Sequence, residues 1–576
     1  MALIIVEPND YEANLKTLED LTTNAHQVQD KLLEDILKRN AGSEYLRGFF
    51  NGCQVIDKKL FKKNVPIVTY EDIKPYIDRI VNGKPSSILL AEPVTGFLRS
   101  TGTSGGQPKM IPSTAERMEK SILFLTLAAS VIKRHVDDLN HGKTLYFLSA
   151  KPEIQTPSGL TANSVSTNYF KTSIFRKTLS QIHTTPIETV FCPDTKQSMY
   201  CQLLVGLLQR DQVVSVGSSF ASVVVRAIKL LEDYWKELCF NIKTGQISDW
   251  IKDSGCRNAV SLILKPNPKL ADSINHICNC ESWEGIIKKL WPQAKLIEAV
   301  ATGAMSQYTR TLDFYSNGLP IVSPGYVCTE AACGINLEPL TKPSDVSYTF
   351  IPNMAYFEFI PVNQNCSNVE PVDLVDVKLG QCYEVVVTTS TGLYRYRIGD
   401  VLMATGFYNN APQFQFVERR NAILSIDADK TSESDLLMAV TEAKILLDPI
   451  GFILTGYTSY ADTSSTPGHY VIFWEVKANE GNGVKELDPK VMVECCSRME
   501  ESLSYIYKSY RKENAIAALE IRVVKHGTFD ALMDYYVSQG TSMNQYKTPS
   551  CIKSKEALKI LDSRVVGKFF SPKIDF

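Results

Sequence analysis

Residues 100–112 read STGTSGGQPKMIP and directly follow the strand-like run Val94–Leu98. The three glycines allow the backbone to come close to an anion and turn its amides toward it. The hydroxyls of Ser100, Thr101, Thr103 and Ser104 flank Gly102 and add donors for phosphate oxygens, and Lys109 supplies a positive charge. The GK[ST] ending of a Walker loop and the GxGxxG of a dinucleotide site are both missing. A Ser/Thr/Gly-rich stretch is more often a surface loop than a phosphate cradle, so its reading depends on its surroundings.

Those surroundings alternate between helical and extended patterns. Apolar residues recur at helical spacing from Asn9 to Lys38, and again over Ala115–His135, Thr195–Arg210, Phe220–Asn241 and Trp283–Leu290. Short β-type runs, such as Lys143–Ser149 and Val213–Val216, lie between them. The mixture predicts an α/β fold. After about residue 320 the texture becomes β-rich, with runs at Ser347–Pro352, Tyr356–Pro361, Tyr383–Thr389, Tyr394–Ile398 and Phe414–Val417 separated by turn residues. Beyond ILSIDADK (423–430), Thr431 or Ser432 can cap a helix over 433–447. A strand at Tyr470–Val476, a helix over 489–510 and a strand at Leu519–Val524 follow, as in a small α+β domain. The expected division is a large unit over 1–427 and a small one over 428–576.

Bulk properties exclude several classes. With 576 residues, 44% hydrophobic and 22% charged, the chain has a globular composition and room for more than one core. Its 61 basic and 63 acidic residues give a net charge of -2, so neither nucleic acid nor an anionic membrane is an expected partner. The apolar run SILFLTLAASVI (121–132) falls short of the roughly 20 residues needed to span a bilayer. MALIIVEPND has no basic n-region for a signal peptide. The 14 cysteines are scattered without a CxxC pair, which suits reduced thiols in a cytoplasmic protein.

Two further segments give the glycine-rich loop its context: VSPGYVCTEAACGINL (322–337) and YRYRIGDV (394–401). The order STGTSGG, then Y-x-x-x-E followed by GINL, then YRYRIGD resembles the adenylate-forming enzymes. More narrowly, it resembles the plant auxin-responsive acyl acid–amido synthetases, the Gretchen Hagen family. The likeness runs along nearly the whole chain, through YLRGF at Tyr45, PIVTYEDIKPYI at Pro66, TPSGL at Thr156, GFYNNAPQF at Gly406, PGHY at Pro467, LEIRVV at Leu519, GTFD at Gly527 and QYKTP at Gln545.

The resemblance implies an α/β, firefly-luciferase-like adenylate-forming fold with a mobile C-terminal domain, and ATP with Mg2+ as cofactors. A small carboxylic acid would be activated as acyl-AMP and then joined to an amino acid. Ser100, Thr101, Gly102, Thr103 and Ser104 would hold the ATP phosphates, and Tyr326 would line the adenine pocket. Glu330 would bind magnesium as a catalytic group, and Asp400 would accept the ribose hydroxyls. Asn168 would reach the nucleotide, while Lys430 and the catalytic candidate Lys547 would arrive with the small domain. Leu125, Ala128 and Val223 are candidates for the acyl-acid pocket. Ala162, Ser164, Ala531 and Asp534, shaped by Met533, are candidates for the amino-acid pocket. None of the seven histidines sits in a nucleophile–base signature.

The sequence departs from the family pattern in three places. Relatives usually read Y-G-S-S-E where this chain has Tyr326-Val327-Cys328-Thr329-Glu330, which puts the geometry of that turn in question. The KxPRC pattern appears as Lys547-Thr548-Pro549-Ser550-Cys551, without its arginine. Ala128 stands where relatives acting on benzoate-like acids have a substrate-pairing arginine. With Phe124, Leu125 and Leu127, its helix reads as an apolar wall with no cation, favouring an indole or other aryl-alkyl acid. The alternatives are an adenylating ligase that passes the acyl group to a thiol, and a weakly catalytic relative that senses a small acid.

Overall fold

The computed structural model describes residues 10–50, 56–100, 109–150, 153–362, 370–419, 423–426, 431–465, 467–478, 487–512 and 516–572. The β-rich texture after residue 320 becomes one antiparallel sheet of eight strands. In spatial order these are Val372–Asp373, Tyr356–Pro361, Cys382–Thr388, Tyr396–Tyr408, Ala411–Arg419, Tyr348–Phe350, Ala332–Ile335 and Gly325–Val327. The order places the second motif on one edge and the YRYRIGD strand near the middle.

The YRYRIGD strand starts at Tyr396, two residues later than the pattern suggests, because Arg395 has a φ of 48°. That unusual conformation for a non-glycine residue is held by the arginine's own bonds. Its Nε and Nη2 form a fork with Glu358 at 3.0 and 2.9 Å, and Nη1 donates to the carbonyls of Lys62 and Val65 at 2.7 and 2.9 Å. Arg395 is 6% exposed and Glu358 1%. Substitution by methionine would take both forked donors from the buried carboxylate and leave Lys62 at 3.7 Å, so Arg395→Met is expected to lose about 3–5 kcal/mol of stability in denaturant unfolding. A loss below 1 kcal/mol would show that the fork is not a structural anchor.

A second sheet is parallel, in the order Lys143–Tyr146, Val213–Phe220, Leu296–Val300, Ile321–Val322. The strand Val213–Phe220 runs straight into the helix Ala221–Thr244, whose apolar face fills a core with Leu203, Leu207 and Trp291. A third, four-stranded sheet pairs Gly96–Arg99 with Met110–Ser113 as a hairpin, with Arg99 opposite Met110. Residues 101–108 of the glycine-rich segment, between these two strands in sequence, lie outside the described ones. The helix Ala115–His135 begins directly after the hairpin, capped by Thr114, whose Oγ1 accepts from the Arg117 amide at 3.4 Å.

The C-terminal part has its own four-stranded sheet, Phe452–Asp462, His469–Ala478, Glu520–Val524 and Val565–Phe570. Ser432 caps the helix Glu433–Lys444 in a reciprocal box with Asp435. The expected helix over 489–510 is two helices, Pro489–Ser502 and Tyr505–Lys512, because Leu503 is extended and buried between them. The boundary expected at 427/428 falls among residues 427–430, outside the described ones. Met533, Met543 and Tyr546 pack into the core beneath the parallel sheet, so the two parts share apolar surface.

Candidate active site

The second motif forms a hairpin turn. The Cys328 amide donates to the Ala331 carbonyl at 2.9 Å. The Cys328 thiol donates to that carbonyl and accepts from the Ala331 amide, both at 3.3 Å. Sulfur thus does the bonding a hydroxyl would do here. Val327 is 47% exposed with an ordinary extended backbone, so its bulk points away from the turn. With these residues the segment closes a hydrogen-bonded turn.

Two flanking residues of this turn reach the YRYRIGD strand. The Tyr326 hydroxyl donates to Asp400 Oδ2 at 2.7 Å, while its ring packs near Tyr348 and Phe350, each at 6.1 Å between centroids. Burial, and then the Asp400 charge, push the Tyr326 hydroxyl well above its ordinary pKa, so it acts as the donor. Glu330 accepts from the Tyr396 hydroxyl at 3.2 Å, and Lys109 Nζ donates to the same hydroxyl at 2.8 Å. Lys109 lies 3.6 Å from the Glu330 carboxylate and over the rings of Tyr70 and Tyr396. Glu330 and Asp400 are 4% and 7% exposed.

The stem of the glycine-rich loop closes on this cluster. The Ser100 amide donates to the Lys109 carbonyl at 3.0 Å, and the Lys109 amide donates to Ser100 Oγ at 2.8 Å. The structure therefore joins Ser100, Lys109, Tyr326, Glu330, Tyr396 and Asp400 from three separate segments. The buried Glu330 carboxylate offers the hard oxygen donors that magnesium prefers, so it would hold that ion, which would supply charge to offset phosphate.

The other candidates are more dispersed. Thr101, Gly102, Thr103, Ser104 and Lys430 lie outside the described residues. The Asn168 side-chain carbonyl accepts from Asn163 at 3.0 Å. Ser164 caps the helix Val165–Phe170, so its hydroxyl is occupied, and Ala162 is a core residue at 1% exposure. Ala531 is half-buried, Asp534 exposed, and Met533 buried in the core. Lys547 Nζ sits 5.1 Å from the centre of the Phe220 ring, at the end of a parallel-sheet strand.

The acyl-acid candidates lie in three different surroundings. Leu125 is 43% exposed, Ala128 is buried in the first core, and Val223 is buried in a separate one. Helical phase explains the exposure of Leu125, since it lies about 100° around the helix from buried Phe124. The expectation of a helix without a cation is also corrected. Arg117 lies on the inward face of the same helix, one turn before the apolar run and buried at 6% exposure.

Contacts from the C-terminal part complete the region. Arg99, at the hairpin stem, donates to the Gly540 carbonyl at 3.2 Å. Thr548 shares a hydrogen bond with Tyr308 at 3.0 Å, and Asn544 donates to the Ser149 carbonyl at 3.1 Å. On the helix Ala221–Thr244, Lys229 pairs with Glu475 at 3.4 Å and Glu232 with Lys477 at 2.8 Å. Burial works to raise the Glu475 pKa, but bonds from His526 and the Phe529 amide, with Lys229 nearby, bring it down to about 2. Arg99 and Arg117 lie in no motif, and Tyr396 lies in one whose pattern does not show its bond to Glu330.

Comparison with known proteins places the chain in a family. Residues 14–321 match the GH3 family N-terminal domain, 348–419 its central domain and 434–556 its C-terminal domain. The chain is 52% identical to "Indole-3-acetic acid-amido synthetase GH3.17" of Arabidopsis thaliana, covering 99% of this chain and 98% of that one. It is 53% identical to "4-substituted benzoates-glutamate ligase GH3.12" of the same plant, covering 96% and 98%. The solved structure "AtGH3.15 acyl acid amido synthetase in complex with 2,4-DB" superposes with a TM-score of 0.90 at 51% identity, covering 99% of each chain. A 2-hydroxyisobutyryl-CoA ligase shares the adenylate-forming fold at a TM-score of 0.50 and 9% identity, covering 93% of this chain and 90% of that one. With all three of the family's domains matched in order, this chain belongs to the GH3 family.

Proposed function

We propose that the protein is an ATP-dependent acyl acid–amido synthetase that adenylates a small carboxylic acid and joins it to an amino acid. The observation that carries this reading is the meeting of Glu330 and Asp400, from two separate motifs, beside the Ser100–Lys109 hairpin stem. The acid's carboxylate attacks the α-phosphate of ATP and pyrophosphate leaves. The amino group of the amino acid then attacks the acyl carbon and AMP leaves. Glu330 would hold magnesium, which offsets phosphate charge when bound. Asp400 would accept from the ribose hydroxyls while Tyr326 fixes its orientation. Lys109 and the loop through Ser104 would face the phosphates, and Lys547 would approach from the small domain. With an α-amino pKa of about 8, roughly a tenth of the amine is neutral at pH 7, enough for attack without a dedicated base.

Close relatives carry names for both indole acids and benzoates at nearly equal identity, so the pocket residues have to decide. Ala128 leaves the middle of the helix small and apolar, which favours an aryl- or indole-alkyl acid over a benzoate. Among the described residues no helix is long and apolar enough to cross a membrane. We place the protein in the cytoplasm, where free thiols are stable.

A panel of acids assayed for pyrophosphate release, with and without amino acids, tests the proposal. Acid-dependent pyrophosphate and an amino-acid-dependent amide support it. Pyrophosphate without amide would favour transfer to a thiol, and silence across the panel would favour a sensor. Benzoates turning over far better than indole acids would refute the substrate preference.

A further inference from the structure

Arg117 is a buried charge in an unfavourable place. It sits in the first turn of the helix Ala115–His135, where the helix dipole repels cations. Its Nη1 donates to Ser121 Oγ at 2.9 Å, but Nε and Nη2 have no partner. Cys328, Cys333 and Glu330 of the second-motif hairpin face it, Glu330 beyond ion-pair distance, while Lys120 on its own helix adds a second, partly buried cation. A buried, half-bonded guanidinium is costly unless something bound to the protein completes it.

The helix face around it has the form of an amphipathic ligand. Arg117, Ser121, Phe124 and Ala128 recur at i, i+4, i+7 and i+11, so they line one face. The bond to Ser121 draws the guanidinium alongside the second turn, and about 10 Å of helix separates that level from Ala128. Phe124 packs so closely on Gly325 that a β-carbon there would lie 2.8 Å from its ring. The face thus offers a cation at the second-motif end, then a ring and a small apolar residue, while the Ser121 hydroxyl is bonded to Arg117 on both sides. The phosphate side of the same motif already has Lys109.

We propose that Arg117 pairs with the carboxylate of the acyl acid, taking the role that Ala128 leaves vacant from three turns earlier on the same helix. The assignment rests on the amido-synthetase reading. It makes Arg117 a substrate-binding residue and sets the acid's apolar body along Phe124 and Ala128.

The test is steady-state adenylation by the full chain of wild type, Arg117→Gln and Arg117→Lys, with indole-3-acetate as the probe acid. In Arg117→Gln the KM for the acid is expected to rise 10- to 100-fold while the KM for ATP changes less than twofold. Arg117→Lys, which keeps the charge, is expected to recover part of that loss and carries the test if the glutamine variant does not fold. An unchanged acid KM in a folded variant would overturn the assignment. So would a rise in the ATP KM alone, which would make Arg117 a phosphate ligand. Wild-type protein that releases no pyrophosphate with any acid would defeat the amido-synthetase reading instead.

Discussion

Replacing Asp400 by alanine is expected to lower kcat/KM for ATP by about 10²- to 10⁴-fold, because two charge-assisted hydrogen bonds of roughly 1.5–3 kcal/mol each are removed. The carboxylate is 7% exposed and fixed by Tyr326 at 2.7 Å, so it is preorganised as an acceptor. Its loss also leaves the Tyr326 hydroxyl without that acceptor. Asp400→Asn separates the effects, since it retains one acceptor oxygen and a similar volume. The asparagine variant should sit between wild type and alanine, with the deficit confined to ATP. ATP-dependent pyrophosphate release at several nucleotide concentrations measures this. A KM for ATP unchanged in both variants would remove Asp400 from the nucleotide site.

Glu330→Gln is expected to act on turnover more than on binding. The carboxylate is 4% exposed, accepts from Tyr396 at 3.2 Å and faces Lys109 at 3.6 Å. Glutamine keeps the shape but removes the charge that would hold a divalent cation at the phosphates. A fall in kcat of about 10²- to 10³-fold follows if this group stabilises the developing charge. The magnesium concentration giving half-maximal rate should rise in parallel. Because the mutation also leaves Lys109 near an uncharged neighbour, circular dichroism and thermal unfolding must first show a folded protein. A folded variant with wild-type kcat and magnesium response would exclude Glu330 as the metal ligand.

Much of the fold could be read from local pattern where local pattern decides structure. The helix Ala115–His135 has its expected bounds, because Thr114 caps one end and inward spacing persists to the other. Tyr356–Pro361 matches its expected range, as a buried apolar strand between turns. Phe452–Asp462 escaped notice because FILTGYTSYAD mixes polar and apolar residues without clean alternation. Val565–Phe570 is short and alternately exposed, so only its pairing with Glu520–Val524 identifies it. At the site, Tyr326, Glu330 and Asp400 could be picked out because they sit in ordered motifs. Tyr396 lies within such a motif, yet its bond to Glu330 spans 66 residues. Arg117 could not be picked out, since an arginine in a first helical turn is ordinarily solvated and only burial makes it unusual.

The helix Ala221–Thr244 presents a positive charge at Lys229 and a negative one at Glu232, and the strand His469–Ala478 answers with Glu475 and Lys477. Crossed signs make this contact a detent. Sliding the small unit by one pair would set Lys477 against Lys229 or Glu475 against Glu232, so neighbouring positions repel. The outer pair is partly exposed and contributes little holding force, on the order of 0–1 kcal/mol, with screening over about 8 Å at physiological salt. The inner pair, with Glu475 at 1% exposure, supplies the grip, and the crossed signs set the position. On the proposed two-step cycle, a small unit that left this position would find the same seat on its return.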